Sequence, residues 1–225
     1  MQQAYRALRI VAEAQTIRIV LAPDPDDLML NELSIACDSL HTESSSGIKT
    51  VVLDFNPTAS QLIAPGSKVS PKVTEKACTA VRAIVQPVLA VVRATLSKAA
   101  CMLLQTADFT LVAENARLIV PGMEAGEEAL TGSQAARLGN VTWSAPAGDI
   151  SKHMERILDL LRAKSAMALR QAKASVRLAE TGHASLLEAL QQVNTLYLTQ
   201  LMQTKDAHEG LQAFLEKRKP NWKNI

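Results

Sequence analysis

Two adjacent side chains in "ATLSKAACMLL", residues 94–104, could do nucleophilic chemistry: the Ser97 hydroxyl and the Lys98 amine. A Ser–Lys pair works only if the amine reaches the hydroxyl proton, and neighbours in sequence point apart on a strand or a helix. Ser97 or Thr95 is better placed to cap the short helix that follows. Cys101 lies in an apolar run and fits a buried thiol. Asp24, Asp26 and Asp27 crowd "PDPDD" but lack the regular ligand spacing of a cation loop, which leaves a turn and a helix cap. His41, His153, His183 and His208 show no ligand spacing such as HxxxH, so no metal site is expected. Asp108 ends the short helix and orders its turn.

These residues need elements to position them. Residues 16–22, "TIRIVLA", alternate and are β-branched, which predicts a strand. A helix over 28–40 follows, then "KTVVLDF", a strand apolar at its centre as in a buried sheet. Residues 56–71 are rich in Pro, Ser and Gly and form a loop. A helix over 73–85 leads into "QPVLAVVR", a third buried strand, and a short helix over 98–107. "FTLVAE" and "ARLIVP" are two more strand-like runs. Strand and helix alternate to about Val141, the pattern of βαβ units. From Asp149 onward the chain is helical. Ile150, Met154, Ile157, Leu158 and Leu161 make one apolar stripe, and Leu186, Leu187, Leu190, Val193, Leu196, Tyr197 and Leu201 another. Residues 206–209, "DAHE", look like the capped start of a last helix that Pro220 closes.

Composition excludes several classes. In a chain of 225 residues, 48% apolar content supplies a core, while 3% aromatics leave little for a base-stacking platform. A net charge of +2 argues for neither nucleic acid nor an anionic membrane. Three scattered cysteines without CxxC suit a reducing cytosol. Arg6, Arg9, Glu13 and Arg18 interrupt the N-terminal apolar residues, so neither a signal peptide nor a membrane span is expected.

Two stretches carry a resemblance. "PVLAVVRATLSKAACMLLQTADFTLVAENARLIVP", residues 87–121, is similar without a gap up to Asp108 to a strand "PVIAAVNG", a turn "xALGGG" and a helix ending in "CD". "TKDAHEGLQAFLEKRKPNW", residues 204–222, is similar to a closing "S.D..EG..AFLEKR.P.". "GEEALTGSQAARLGNV" resembles a third landmark between them. All three belong to the enoyl-CoA hydratase/isomerase (crotonase) superfamily.

The resemblance implies an α/β crotonase-like (ClpP/crotonase) spiral of ββα units over residues 1–148. It also implies a helical C-terminal trimerisation subdomain over 149–225, giving a homotrimer or a dimer of trimers. The family stabilises a thioester enolate with two backbone N–H groups, one at the glycine-rich turn. "GGG" falls on Lys98, Ala99 and Ala100, which makes the Ala99 amide the expected donor. The family's two hydratase glutamates fall on Met102 and Gly122, so neither carboxylate is present. Glu124, Glu127 and Glu128 follow and fit solvated acids at a helix start. "DFNPTASQLIAPGS" stands where the family has the "GADL" of its first donor, and "DPDD" would repel a CoA phosphate. Basic residues in the tail, Lys217 and Lys219 with Arg218 and Lys223, are the remaining candidates for CoA phosphate.

Two functions are therefore expected to compete. One is a divergent member without hydratase activity, acting as a structural or interaction homologue. The other is an acyl-CoA or acyl-carrier-protein isomerase or decarboxylase that relies only on a backbone oxyanion hole. No bound cofactor is expected in either, and any thioester would be substrate.

Overall fold

The computed structural model describes residues 5–42, 47–63, 69–119, 128–180 and 186–224, with backbone alone at 41–42, 179–180 and 186–187. It opens with a hairpin of β1 (Arg9–Glu13) and β2 (Thr16–Leu21), joined through Ala14 and Gln15, both at positive φ. Two positive-φ residues give a tight turn the twist that suits a hairpin. The chain then alternates α1 (Asp27–Thr42), β3 (Thr50–Phe55), α2 (Pro71–Ala83), β4 (Val88–Val92), α3 (Lys98–Leu104) and β5 (Phe109–Ala113). A two-stranded ribbon of β6 (Arg117–Leu118) and β7 (Leu130–Thr131), α4 (Gly132–Arg137) and β8 (Trp143–Ala145) complete this part. The sequence foretold β2 to β5, while β1, β7, α4 and β8 were not foreseen.

The main sheet runs β1-β2-β3-β4-β5-β8, parallel except for β1. Strands laid down in sequence order by same-handed crossovers place their helices on one face, where α1 packs on α2 and α2 on α3. The chain therefore climbs as a spiral of strand–helix units. Every residue of β3 and β4 is buried, so the other face is covered as well. That cover is α5 (Ile150–Arg162), which crosses β3 and β5 and buries Ile150, Met154 and Leu158 at i, i+4 and i+8. Burying each large apolar side chain such as Leu53, Phe55 or Leu89 contributes roughly 1.5–3 kcal/mol.

After α5 come α6 (Ala166–Glu180), α7 (Leu186–Leu196) with one wide π turn over Tyr197–Leu201, and α8 (Lys205–Leu215). The cap of α8 is Thr204, whose hydroxyl accepts from the Ala207 amide, and not Asp206 as the pattern suggested. Asp206 is only 2% exposed. It turns inward to accept from the Ser165 hydroxyl and from the Lys223 and Asn224 amides. Trp222 donates its indole N–H to the Ala163 carbonyl, and its ring packs over Gly210, where a Cβ would stand 3.3 Å from it. The closing motif thus straps the tail onto the junction of α5 and α6.

Among the described residues no helix is long and apolar enough to cross a membrane.

Candidate functional site

The carboxyl ends of parallel strands are where open α/β sheets place their ligand crevices. Here β3 and β4 end beside the loop that leads into α3. Three neighbours pin that loop. The Arg93 amide donates to the Phe55 carbonyl at 3.2 Å, Leu96 to Arg117 at 3.1 Å and Ser97 to Pro23 at 3.0 Å. The Thr95 hydroxyl accepts from the Arg117 amide. Ser97 is the N-cap of α3, its Oγ accepting from the Ala100 amide at 3.4 Å, so its expected capping role holds.

Capping uses the Ala100 amide, and the Cys101 amide bonds the Ser97 carbonyl. The Lys98 and Ala99 amides have no hydrogen-bond partner among the described residues and open the helix. They carry the positive end of its short dipole. Lys98 is exposed, Ala99 half-buried and Met102 41% exposed. Neither Lys98 nor Met102 therefore fills a buried cavity over the Ala99 amide. Gly122, with Glu124 and Glu127, lies outside the described residues.

The loop after β3 is committed to itself. Asn56 donates its amide to Leu21 and accepts at Oδ1 from the Thr58 amide and hydroxyl. The Ala59 and Ile63 amides bond Asn56 and Ser60 carbonyls in a 3-10 turn over Pro57–Leu62. Among the described residues, no amide of this loop is shown facing Ala99.

Nearby carboxylates are also occupied. Asp54, 2% exposed, accepts from Arg93 Nε at 2.8 Å, and Arg93 Nη1 reaches the Ser151 hydroxyl at the start of α5. Asp26 caps α1 through the Met29 amide, and Asp27 accepts from the Ser70 amide, so "PDPDD" is a turn and cap. Glu128 makes an exposed pair with Arg117 at 2.9 Å. Cys101 is buried, its sulfur accepts from the Ile119 amide, and burial raises its thiol pKa. Among the described residues no group of three or more metal-ligating side chains comes together.

Lys217 and Lys219 lie elsewhere in the chain. Their tail is tied to Ala163, Ser165 and Ala166, beside the residues that lead into β3: Lys49 Nζ bonds the Arg162 carbonyl. That is the amino edge of the sheet. The six residues of β3 separate it from the α3 start by about 20 Å. Lys217 itself takes φ 54°, where its amide and that of Arg218 close α8 onto Phe214 and Ala213.

The amino edge holds a cluster that sequence reasoning missed. Along α6, Arg170, Lys173 and Arg177 reach the Ile48, Gln86 and Thr106 carbonyls, which lead into β3, β4 and β5. Asp108 receives Lys173 at 2.7 Å, Arg177 at 3.2 Å and the Val88 amide at 2.7 Å. Asp108 was expected to order its own turn. Its partners on α6 were hidden, although their spacing of three and four residues on one helix face was there to find.

Comparison with known proteins agrees with this geometry. Residues 127–224 match the sequence profile of the family described as Enoyl-CoA hydratase/isomerase. Over 164 residues the chain is 28% identical to a 2,3-dehydroadipyl-CoA hydratase of Escherichia coli (strain K12), covering 61% of this chain and 63% of that one. Over 37 residues it is 57% identical to a cyclohexa-1,5-dienecarbonyl-CoA hydratase of Thauera aromatica, covering 16% of this chain and 14% of that one. Neither match spans two thirds of the relative's length. In fold, the chain is similar to an enoyl-CoA hydratase of Bacillus anthracis, with a TM-score of 0.76 at 19% identity over 97% of this chain and 100% of that one. It is also similar to an enoyl-CoA hydratase of Mycobacterium smegmatis, with a TM-score of 0.75 at 20% identity over 96% and 98%. The ascending strand–helix spiral thus has the fold of these enoyl-CoA hydratases, and the C-terminal residues 127–224 are similar to the enoyl-CoA hydratase/isomerase family.

Proposed function

We propose that the chain is a divergent superfamily member without hydratase activity, acting as a structural or interaction homologue. The observation that carries this is in α3, one turn after its start, where an exposed Met102 stands at the position that the family resemblance gives to a hydratase glutamate. A thioether neither holds a water by accepting a strong hydrogen bond nor shuttles its proton. The neighbouring carboxylates of Asp54, Asp26 and Asp27 are spent on Arg93 and on backbone amides. Crotonyl-CoA should keep its conjugated-enoyl absorbance in the presence of the protein, and Met102→Glu alone should not start hydration. Turnover by the unaltered chain would overturn the reading.

A second reading rests on the Ala99 amide. An N–H without a partner at a helix start can still stabilise an enolate oxygen. Decarboxylation of an acyl-CoA or acyl-carrier thioester is the least demanding such reaction, since loss of CO2 itself leaves the enolate. Calorimetric titration with CoA and crotonyl-CoA separates the two readings. Micromolar binding, roughly -8 kcal/mol, favours a surviving thioester site, and no heat up to millimolar ligand favours the first.

Both readings place the protein in the cytosol as a homotrimer or dimer of trimers joined through residues 149–225. Leu211, Phe214 and Leu215 support this, since α8 leaves 56%, 81% and 79% of them exposed. Lys217 and Lys219 would then meet a CoA phosphate only across subunits, because one chain holds them at the far edge of its sheet.

A further inference from the structure

The cluster at the amino edge of the sheet borders a cavity of about 420 Å³ between α6, the end of α3 and the start of β5. This size suits a small ligand. Its charged lining is Arg82, Lys173, Arg177 and Asp108. Three cations face one carboxylate, which leaves two positive charges. Asp108 is already saturated: Oδ2 takes the Val88 amide and Lys173, and Oδ1 takes Arg177. Arg82, exposed at the end of α2, lines this cavity and the adjoining one beside Leu196 and Gln200, and makes no hydrogen bond or ion pair among the described residues. The remaining wall sets the polar Gln105 and Thr106 beside an apolar side built from Pro87, Leu169, Val176 and Phe109, the last stacked on Trp143 at 5.8 Å.

We propose that this cavity binds a small organic dianion of the phosphate-monoester class, its phosphoryl group held by Arg82 and Arg177 and its apolar body against Phe109, Leu169 and Val176. A guanidinium fork matches phosphate oxygens in bidentate fashion. The two surplus charges match the two of a phosphate monoester near neutral pH. The apolar wall gives an organic body a surface that bare phosphate cannot use. This site lies at the opposite end of the strands from Ala99 and is independent of any thioester chemistry.

Phenyl phosphate is the probe, with phenol and inorganic phosphate as controls, followed by calorimetry and by amide chemical shifts. Phenyl phosphate should bind saturably and shift the amides of residues 106–109 and 173–177. Phenol should not bind, and inorganic phosphate should bind more weakly. Arg82→Gln should weaken phenyl phosphate roughly tenfold, as removal of one partly screened charge does. Val176→Trp should abolish binding by filling the mouth. Both positions are exposed, so melting temperatures should stay at the unaltered value. No saturable binding by the unaltered chain, shifts confined to other residues, or unchanged affinity in both variants would each overturn the proposal.

Discussion

Lys173 Nζ lies 2.7 Å from Asp108 Oδ2, with 7% and 18% of the two side chains exposed. This contact joins α6 to the start of β5, and because Lys173 also donates to the Gln86 carbonyl, it reaches the start of β4 as well. Removing one partner of a buried pair strands the other, which is why such pairs are costly to break. Lys173→Met should destabilise the fold by about 3 kcal/mol, at the low end for buried pairs because Asp108 keeps Arg177 and the Val88 amide. Urea denaturation checks it. A loss within a few tenths of a kcal/mol would show that the pair contributes nothing net.

Gly132 begins α4 directly over β5. A Cβ there would run into the Ala113 carbonyl oxygen and crowd the Val112 side chain, neither of which can swing away. Gly132→Ala should cost about 3 kcal/mol, the upper range for overpacking. Gly148 is the control: a Cβ there meets nothing within 4 Å, so Gly148→Ala should leave the denaturation midpoint nearly unchanged.

Lys217 holds the left-handed position after α8, where a side chain is strained and glycine is not. Lys217→Gly should raise stability by about 1 kcal/mol, the order of the strain relieved. Thermal unfolding tests this, and a lower midpoint would count against it.

Burial pushes the Cys37 thiol up to about 12, with Asp38 adding to the effect. In the unfolded chain the thiol titrates near 9. Between those values the unfolded state has lost its proton and the native state has kept it. Stability is therefore unaffected by this group below pH 9 and falls between pH 9 and about 12 by roughly 1.4 kcal/mol per unit. Cys37→Ser should flatten that decline, measured as the denaturation midpoint against pH. Cys37, Cys78 and Cys101 are all buried, so a thiol reagent should label them only as fast as the native chain opens.

Asp206 gathers the tail. Asp206→Ala would leave the Lys223 and Asn224 amides and the Ser165 hydroxyl without their acceptor. It should cost about 2–3 kcal/mol and release Trp222 from the Ala163 carbonyl. In a Trp143→Phe background the fluorescence should move to the red. An unchanged spectrum would mean the strap holds without Asp206.

Much of the spiral was legible because burial on both faces writes itself into sequence: "TVVLDF" and "VLAVV" carry no alternation and could only be inner strands. Local chemistry was legible too, as in Ser97 capping α3 and Asp26 capping α1. The β1 hairpin was not, since Ala14 and Gln15 adopt positive φ without the Asn-Gly signal that advertises such a turn. The start of α8 was misplaced by two residues because Asp206 resembles a cap, while its partners lie on α6 and in the tail. At the candidate site, the strand-to-helix junction was legible, and Ala99 lies in the first turn of α3. The distance of Lys217 and Lys219 from it could not be foreseen, because it depends on where α5 delivers the chain after crossing the sheet.

The α6 cations also have a metric side. Successive strands of a sheet stand about 4.8 Å apart, while three or four residues of helix advance about 4.5–6 Å. Arg170, Lys173 and Arg177 therefore step along β3, β4 and β5 as the marks of a ruler, one mark to each strand. One residue inserted between Arg170 and Lys173 would turn every later mark by about 100° and put Lys173 and Arg177 out of phase with their carbonyls. A sheet edge measured in this way tolerates substitution in α6 far better than it tolerates a change in length.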